Sequence, residues 1–171
     1  MDGLTSLFRP RAVAVVGASA DPAKIGNAIV RNIQKSGFTG RILPVNPKAA
    51  EIEGLLCYPH PGALPVVPEV AVLAVPAPVA AQAAEACARA GIGYLVVVTA
   101  GFRETGPAGL ELEKELVAVC RRWGIRMVGP NCLGIMDTHT PLNATFATSF
   151  PRPGKIAFIS QSGAIVAAIL D

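Results

Sequence analysis

The sequence predicts an α/β domain built on a parallel β-sheet, and three observations predict it. Valine-rich stretches of strand length alternate with longer stretches whose apolar residues recur at helical spacing. Stop signals separate them, with Gly37, Gly91 and Gly124 each closing a helical stretch. The strand stretches are apolar throughout rather than every second residue, which suits strands covered on both faces. Such alternation predicts right-handed crossovers, hence a Rossmann-like parallel sheet with helices on both faces.

The elements follow in order. Residues 12–17 carry no charge and supply the first strand, 13–16. A turn of Gly17, Ala18 and Ser19 leads to a helix over 24–36, apolar at Ile25, Ile29 and Ile33, with Asp21 as its cap and Pro22 near its first turn. Further strands are expected over 41–45, 70–75, 94–99, 126–128 and 156–160, and further helices over 79–90 and 107–123. The last helix places Ala108, Leu112, Leu116, Val119 and Trp123 on one face, with acids and a lysine between. Residues 1–150 form the main domain in this reading. Pro151, Arg152, Pro153 and Gly154 read as a linker, and 155–171 as a strand, a turn and a helix that open a second, truncated domain.

Ligands of such sheets gather at the carboxyl ends of the strands. Those ends read Gly17-Ala-Ser19, Asn46-Pro-Lys48, Pro76-Ala-Pro78, Thr99-Ala-Gly-Phe102 and Gly129-Pro-Asn-Cys-Leu-Gly134. They are small, polar or proline-bearing, which lets backbone approach a ligand. The first is also a strand feeding a helix through small residues, where free N–H groups and the helix dipole favour an anion. A phosphorylated ligand follows.

Composition removes several other classes. No uncharged apolar run approaches the ~18 residues that span a bilayer, and the N-terminus has an acid where an export signal would be apolar. A formal charge of +3, 5% aromatics and no basic stripe give nucleic-acid binding no support. Cys57, Cys87, Cys120 and Cys132 form no C-x-x-C pair, and His60 and His139 complete no zinc-like spacing. The expectation is a cytoplasmic chain with reduced thiols, no metal set, no membrane and no nucleic acid.

The phosphate ligand is narrowed by what the turns lack. A dinucleotide site wants G-x-G-x-x-G and an acid closing the second strand to hold ribose hydroxyls. Here the turn is Gly17-x-Ser19, the next glycine is Gly26, and Lys48 stands near the expected acid. NADP stays open on the lysine, but no catalytic His or Tyr–Lys pair for hydride chemistry is visible. A Walker loop is absent.

Gly17-Ala-Ser19 with Lys24-x-Gly26, Pro44-Val-Asn-Pro-Lys48, Val75-Pro-Ala-Pro78, Val98-Thr-Ala-Gly-Phe102, Gly129-Pro-Asn-Cys-Leu-Gly134 and Ile159-Ser-Gln-Ser-Gly163 together resemble the N-terminal part of NDP-forming acyl-CoA synthetases. That group includes ADP-forming acetate–CoA ligase and is related to the succinyl-CoA synthetase α subunit. The resemblance covers essentially the whole chain, and Gly-Pro-Asn-Cys-x-Gly followed by Ser-Gln-Ser-Gly is its specific part.

The resemblance implies a domain that binds coenzyme A or acyl-CoA. CoA phosphates map to Gly17, Ser19, Lys24, Ile25 and Gly26, and the nucleotide end to Asn46, Pro47 and Lys48. Val75, Pro76, Ala77, Thr99, Ala100 and Gly101 flank the ligand, and Asn131 and Cys132 lie near where the thiol emerges. The family's phosphohistidine lies beyond residue 171, in a second domain of flavodoxin-like, succinyl-CoA-synthetase-like type. ADP or ATP with Mg binds an ATP-grasp domain or β-type subunit. The chain is therefore expected to be a fragment of an acid–thiol ligase without a catalytic residue of its own. A lysine acetyltransferase carrying the same module, a stand-alone CoA sensor and an NADP-binding dehydrogenase are the alternatives.

Plainer roles are expected for other residues. His139 and His60 read as loop histidines, Cys132 as a packing residue, and Glu104 as an exposed loop acid.

Overall fold

Five successive apolar residues, each buried, put the first strand at the centre of the molecule. The computed structural model describes residues 3–170. In chain order these form α1 (Thr5–Phe8), β1 (Ala12–Val16), α2 (Ile25–Lys35), β2 (Arg41–Val45), β3 (Glu51–Ile52), β4 (Leu55–Leu56) and β5 (Val70–Leu73). There follow α3 (Ala77–Arg89), β6 (Tyr94–Val97), α4 (Pro107–Trp123), β7 (Arg126–Val128), β8 (Gly134–Asp137), β9 (Leu142–Thr145) and α5 (Gly163–Leu170).

The main sheet is parallel and runs β2-β1-β5-β6-β7. The chain moves outward from β1 to β2, then crosses back over β1 to β5. This reversal opens a crevice above the carboxyl ends of β1 and β5. It is the topological reason for a ligand site there.

Alternate residues of each strand face opposite layers. Val13, Val15, Val70, Val72 and Val96 pack under Ile29, Val30 and Ile33 of α2. Ala14, Val16, Leu73, Leu95 and Val97 pack under Ala80, Ala84 and Cys87 of α3 and Leu116 of α4. Each fully buried isoleucine or leucine contributes ~2 kcal/mol of apolar burial. The Rossmann-like sheet with helices on both faces is therefore present. On the α2 face, the antiparallel β8–β9 hairpin takes the place of a second long helix. Asn32 holds it by donating to the Thr145 and Ala147 carbonyls, both at 2.8 Å, and Ser36 donates to the Pro141 carbonyl.

The structure shifts several sequence boundaries. The helix expected to start at residue 79 begins at Ala77, because Pro76 as N-cap and Pro78 in the first turn cost no helical hydrogen bond. Asp21 does not cap α2. Its carboxylate accepts from the Ala23 N–H at 2.9 Å and closes the turn ahead of the helix, whose N-cap is Lys24. The strand expected over 156–160 is not formed. Ile156 and Ile159 are each 94% exposed, and among the described residues no strand pairs with that segment. Apolar composition marks a segment that can become a strand; only a paired neighbour makes it one. The helix that follows is formed, as α5. No helix among the described residues is long and apolar enough to cross a membrane.

Candidate functional site

Two glycines let β1, β5 and α2 meet. A Cβ on Gly17 would stand 2.5 Å from the Ala74 carbonyl oxygen, and its φ of +87° disfavours other residues. A Cβ on Gly26 would stand 2.1 Å from the Gly17 carbonyl oxygen. No side chain fits at either place. The first turn of α2 therefore lies directly against the end of β1, and the Ile25 and Gly26 N–H groups find no backbone acceptor among the described residues. Helix ends leave such donors free for a ligand.

The neighbouring loops are braced to this turn. Asn46 donates from Nδ2 to the Ala18 carbonyl at 2.7 Å and accepts the Lys48 N–H on Oδ1 at 2.8 Å. Ser19 Oγ accepts from the Asp21 N–H at 3.1 Å, and the Ser19 carbonyl accepts from Asn27 Nδ2 at 2.8 Å. On the other side of the crevice, Thr99 Oγ1 donates to the Val75 carbonyl at 2.6 Å, and the Thr99 carbonyl accepts the Asn131 N–H at 2.8 Å. A Cβ on Gly101 would approach the Ala77 Cβ to 3.2 Å, so those two loops also touch.

The sequence-predicted residues thus form two braced groups. Gly17, Ser19, Gly26, Asn46 and Lys48 make one; Val75, Ala77, Thr99, Gly101 and Asn131 make the other. They meet where Gly17 abuts Ala74 and Val75. Lys24, Ile25, Pro47, Pro76 and Ala100 sit on the exposed rim, joined to neither group through their side chains. Asn46 and Thr99 spend their polar atoms on the protein and so shape the walls. The rim lysines are different. Lys24 and Lys48 are exposed, and neither pairs with a carboxylate among the described residues. Two free cations and two free N–H groups on one rim suit a polyanion.

Three residues matter more than sequence reasoning assigned. Asn27 is fully buried and ties the Ser19 turn to Glu53 of the β3–β4 hairpin. Its signal in the sequence was a polar residue on the apolar face of α2. Glu53 carried one signal, the Glu53–Gly54 pair between Ile52 and the Leu55–Leu56 pair. Glu104 is exposed, as expected, but its carboxylate accepts from the Gly101 and Phe102 N–H groups at 2.6 and 3.1 Å. The Gly101 bond is the main cause of its lowered pKa. Glu104 is the staple of the Thr99 loop.

Cys132 donates from Sγ to the Val97 carbonyl at 3.3 Å, and burial pushes its thiol pKa up. A thiol held protonated suits packing rather than attack. His139 is exposed, with its N–H on Asp137 and its ring Nε2 3.0 Å from the Gly154 carbonyl. No cluster of three metal-ligating side chains occurs among the described residues.

A family model described as a CoA binding domain matches residues 11–138, the span that contains every braced loop. The chain belongs to that family. This CoA-binding domain is 46% identical over 165 residues to acetate–CoA ligase [ADP-forming] I of Archaeoglobus fulgidus, covering 96% of the chain and 24% of the relative. It is 42% identical to the α subunit of acetate–CoA ligase [ADP-forming] II of Pyrococcus furiosus, covering 98% of the chain and 36% of the relative. Among solved structures it matches the dinucleotide forming acetyl-coenzyme A synthetase 1 of Ca. Korarchaeum cryptofilum in complex with phosphate and ADP. That match has a TM-score of 0.94 and 45% identity over 99% of this chain and 36% of that one. The domain thus spans between a quarter and two-fifths of the length of these relatives.

Proposed function

We propose that the chain is the CoA-binding part of an ADP-forming acyl-CoA synthetase, whose whole reaction converts acyl-CoA, ADP and phosphate into acid, CoA and ATP. The observation that carries this reading is the rim at the start of α2, where the Ile25 and Gly26 N–H groups take no backbone acceptor and the exposed Lys24 and Lys48 pair with no carboxylate among the described residues. The second strand ends in Asn46, Pro47 and Lys48, with no acid to hold a ribose diol, which favours CoA over NAD. CoA, when bound, supplies the thiol that carries the acyl group. The chain's own part is to hold it. The α2 N-terminus and the two lysines take the phosphates, and Val75, Pro76, Ala77 and Gly101 give the acyl-bearing arm a rigid wall. Asn131 stands where the thiol end emerges. Acetate is the acid in the relatives named above and the first acyl group to try.

Catalysis in this reading needs parts outside residues 1–171: a phosphohistidine domain and an ATP-grasp domain or subunit that binds ADP with Mg. The unpaired apolar segment over 156–160 and helix α5 are read as the beginning of the phosphohistidine domain, whose remaining strands would pair with it. The working location is the cytoplasm.

Calorimetric titration of the chain with CoA and with NADP(H) tests the ligand. Binding of CoA with no response to NADP(H) is expected. A response to NADP(H) without one to CoA overturns the reading.

A further inference from the structure

The β3–β4 hairpin brings a carboxylate to the edge of the anion-receiving turn. Its two turn residues, Glu53 and Gly54, have φ of +51° and +75°. Glycine and asparagine are the usual occupants of such a turn, and a glutamate there is uncommon. Glu53 is also tied in place. Its Oε1 accepts from Asn27 Nδ2 at 2.6 Å, and its carbonyl accepts from Gln34 Nε2 at 3.0 Å.

Asn27 is the hinge of the arrangement. The one Nδ2 that holds Glu53 also donates to the Ser19 carbonyl at 2.8 Å. Its Oδ1 is buried without a partner. The amide cannot turn over to satisfy that oxygen, because Oδ1 would then face two acceptors. A buried oxygen left open costs stability, and here that cost accompanies the fastening of a carboxylate to the phosphate turn. The same turn offers the free Ile25 and Gly26 N–H groups to an anion.

We propose that Glu53 is an affinity-setting residue of the CoA site: its negative charge, fixed beside the Ser19 turn through Asn27, opposes the ligand's phosphates. It holds affinity below what the two lysines and the helix N-terminus alone would give. Like charges close together repel, and at an exposed carboxylate such as Glu53 the effect is modest and screened by salt. A domain that must release its product CoA gains from such a counterweight. The inference rests on the CoA reading and adds to it a residue that limits binding.

Two uncharged variants test it by calorimetry with CoA and with pantetheine, which lacks the phosphates. Glu53→Gln keeps an acceptor for Asn27, and Glu53→Asn suits the left-handed backbone. Melting curves establish that each is folded. Both are expected to bind CoA roughly three- to tenfold more tightly, with pantetheine affinity unchanged. Unchanged or weaker CoA binding by a folded variant, while the wild type binds, overturns the role of Glu53. So does equal tightening toward pantetheine, which would exclude a charge effect. If the wild type fails to bind CoA at all, the CoA reading falls and this inference with it.

Discussion

The two edges of the central sheet treat their backbone N–H groups in opposite ways. At the amino edge, Glu69 accepts from the Arg11 and Ala12 N–H groups at 3.0 and 3.1 Å and from Arg11 Nε at 2.9 Å. The Tyr94 hydroxyl closes the same edge on the Gly3 carbonyl. At the carboxyl edge, Asn46, Thr99 and Glu104 brace the loops, yet Ile25 and Gly26 keep free donors and Lys24 and Lys48 lack partners. One edge saturates its donors with its own carboxylate. The other holds its donors in place without a backbone acceptor among the described residues. Protein polar groups normally find partners, so donors held open on a braced frame make this the edge at which to test for a ligand.

The sharpest way to break this contrast is where α2 meets the end of β1. Gly26→Ala places a methyl 2.1 Å from the Gly17 carbonyl oxygen, where backbone must move. It is expected to cost about 2–4 kcal/mol in urea unfolding and roughly tenfold or more in CoA affinity. A variant with wild-type melting and binding would show that the close approach of α2 to β1 is not what shapes the site.

Glu69→Ala should affect the amino edge only. It leaves two N–H groups uncapped, at about 1–2 kcal/mol, and leaves CoA affinity unchanged. Burial pushes the Glu69 carboxyl upward, but the bonds from Arg11 and the backbone N–H groups outweigh it, so its pKa lies below the ordinary value. The sign follows: this stabilisation is full above the unfolded carboxylate pKa of ~4.3 and is lost as pH falls through the folded value. The gap between wild type and variant should therefore narrow in acid. A gap independent of pH, or a loss of CoA binding, would contradict the division between the edges.

The smallest expected effects are at the rim. Lys24→Ala and Lys48→Ala should each weaken CoA by roughly three- to tenfold, with pantetheine affinity and melting temperature unmoved. Equal losses for both ligands would mean that these lysines do not meet phosphates.

Much of this was legible in the chain itself. The valine runs marked the five parallel strands, and glycines marked the helix ends, because each reports a local preference. The strand-end loops were legible as small and proline-bearing loops at the carboxyl ends of the strands, since those residues are written in contiguous stretches. The β3–β4 hairpin escaped because two-residue strands have no periodicity to read. The β8–β9 hairpin escaped because Gly134, Asp137, Asn143 and Thr145 break the apolar pattern. Asn27 was visible as a residue but not as a brace, because its acceptors, the Ser19 carbonyl and the Glu53 carboxylate, lie outside its own helix. Glu104 read only as a loop acid, because nothing in its spacing shows that it turns back onto the Gly101 and Phe102 N–H groups. The segment over 156–160 shows the converse, a strand pattern without a strand.

Sequence determined the sheet type, the layers, the glycine-bearing turn after β1 and the absence of a dinucleotide acid, since each is written in contiguous residues. Tertiary structure decided the strand order and hence the β1–β5 crevice. It also decided which donors stay free and that Glu53 lies beside the Ser19 turn. Those depend on which distant segments become neighbours, and local pattern carries no record of that.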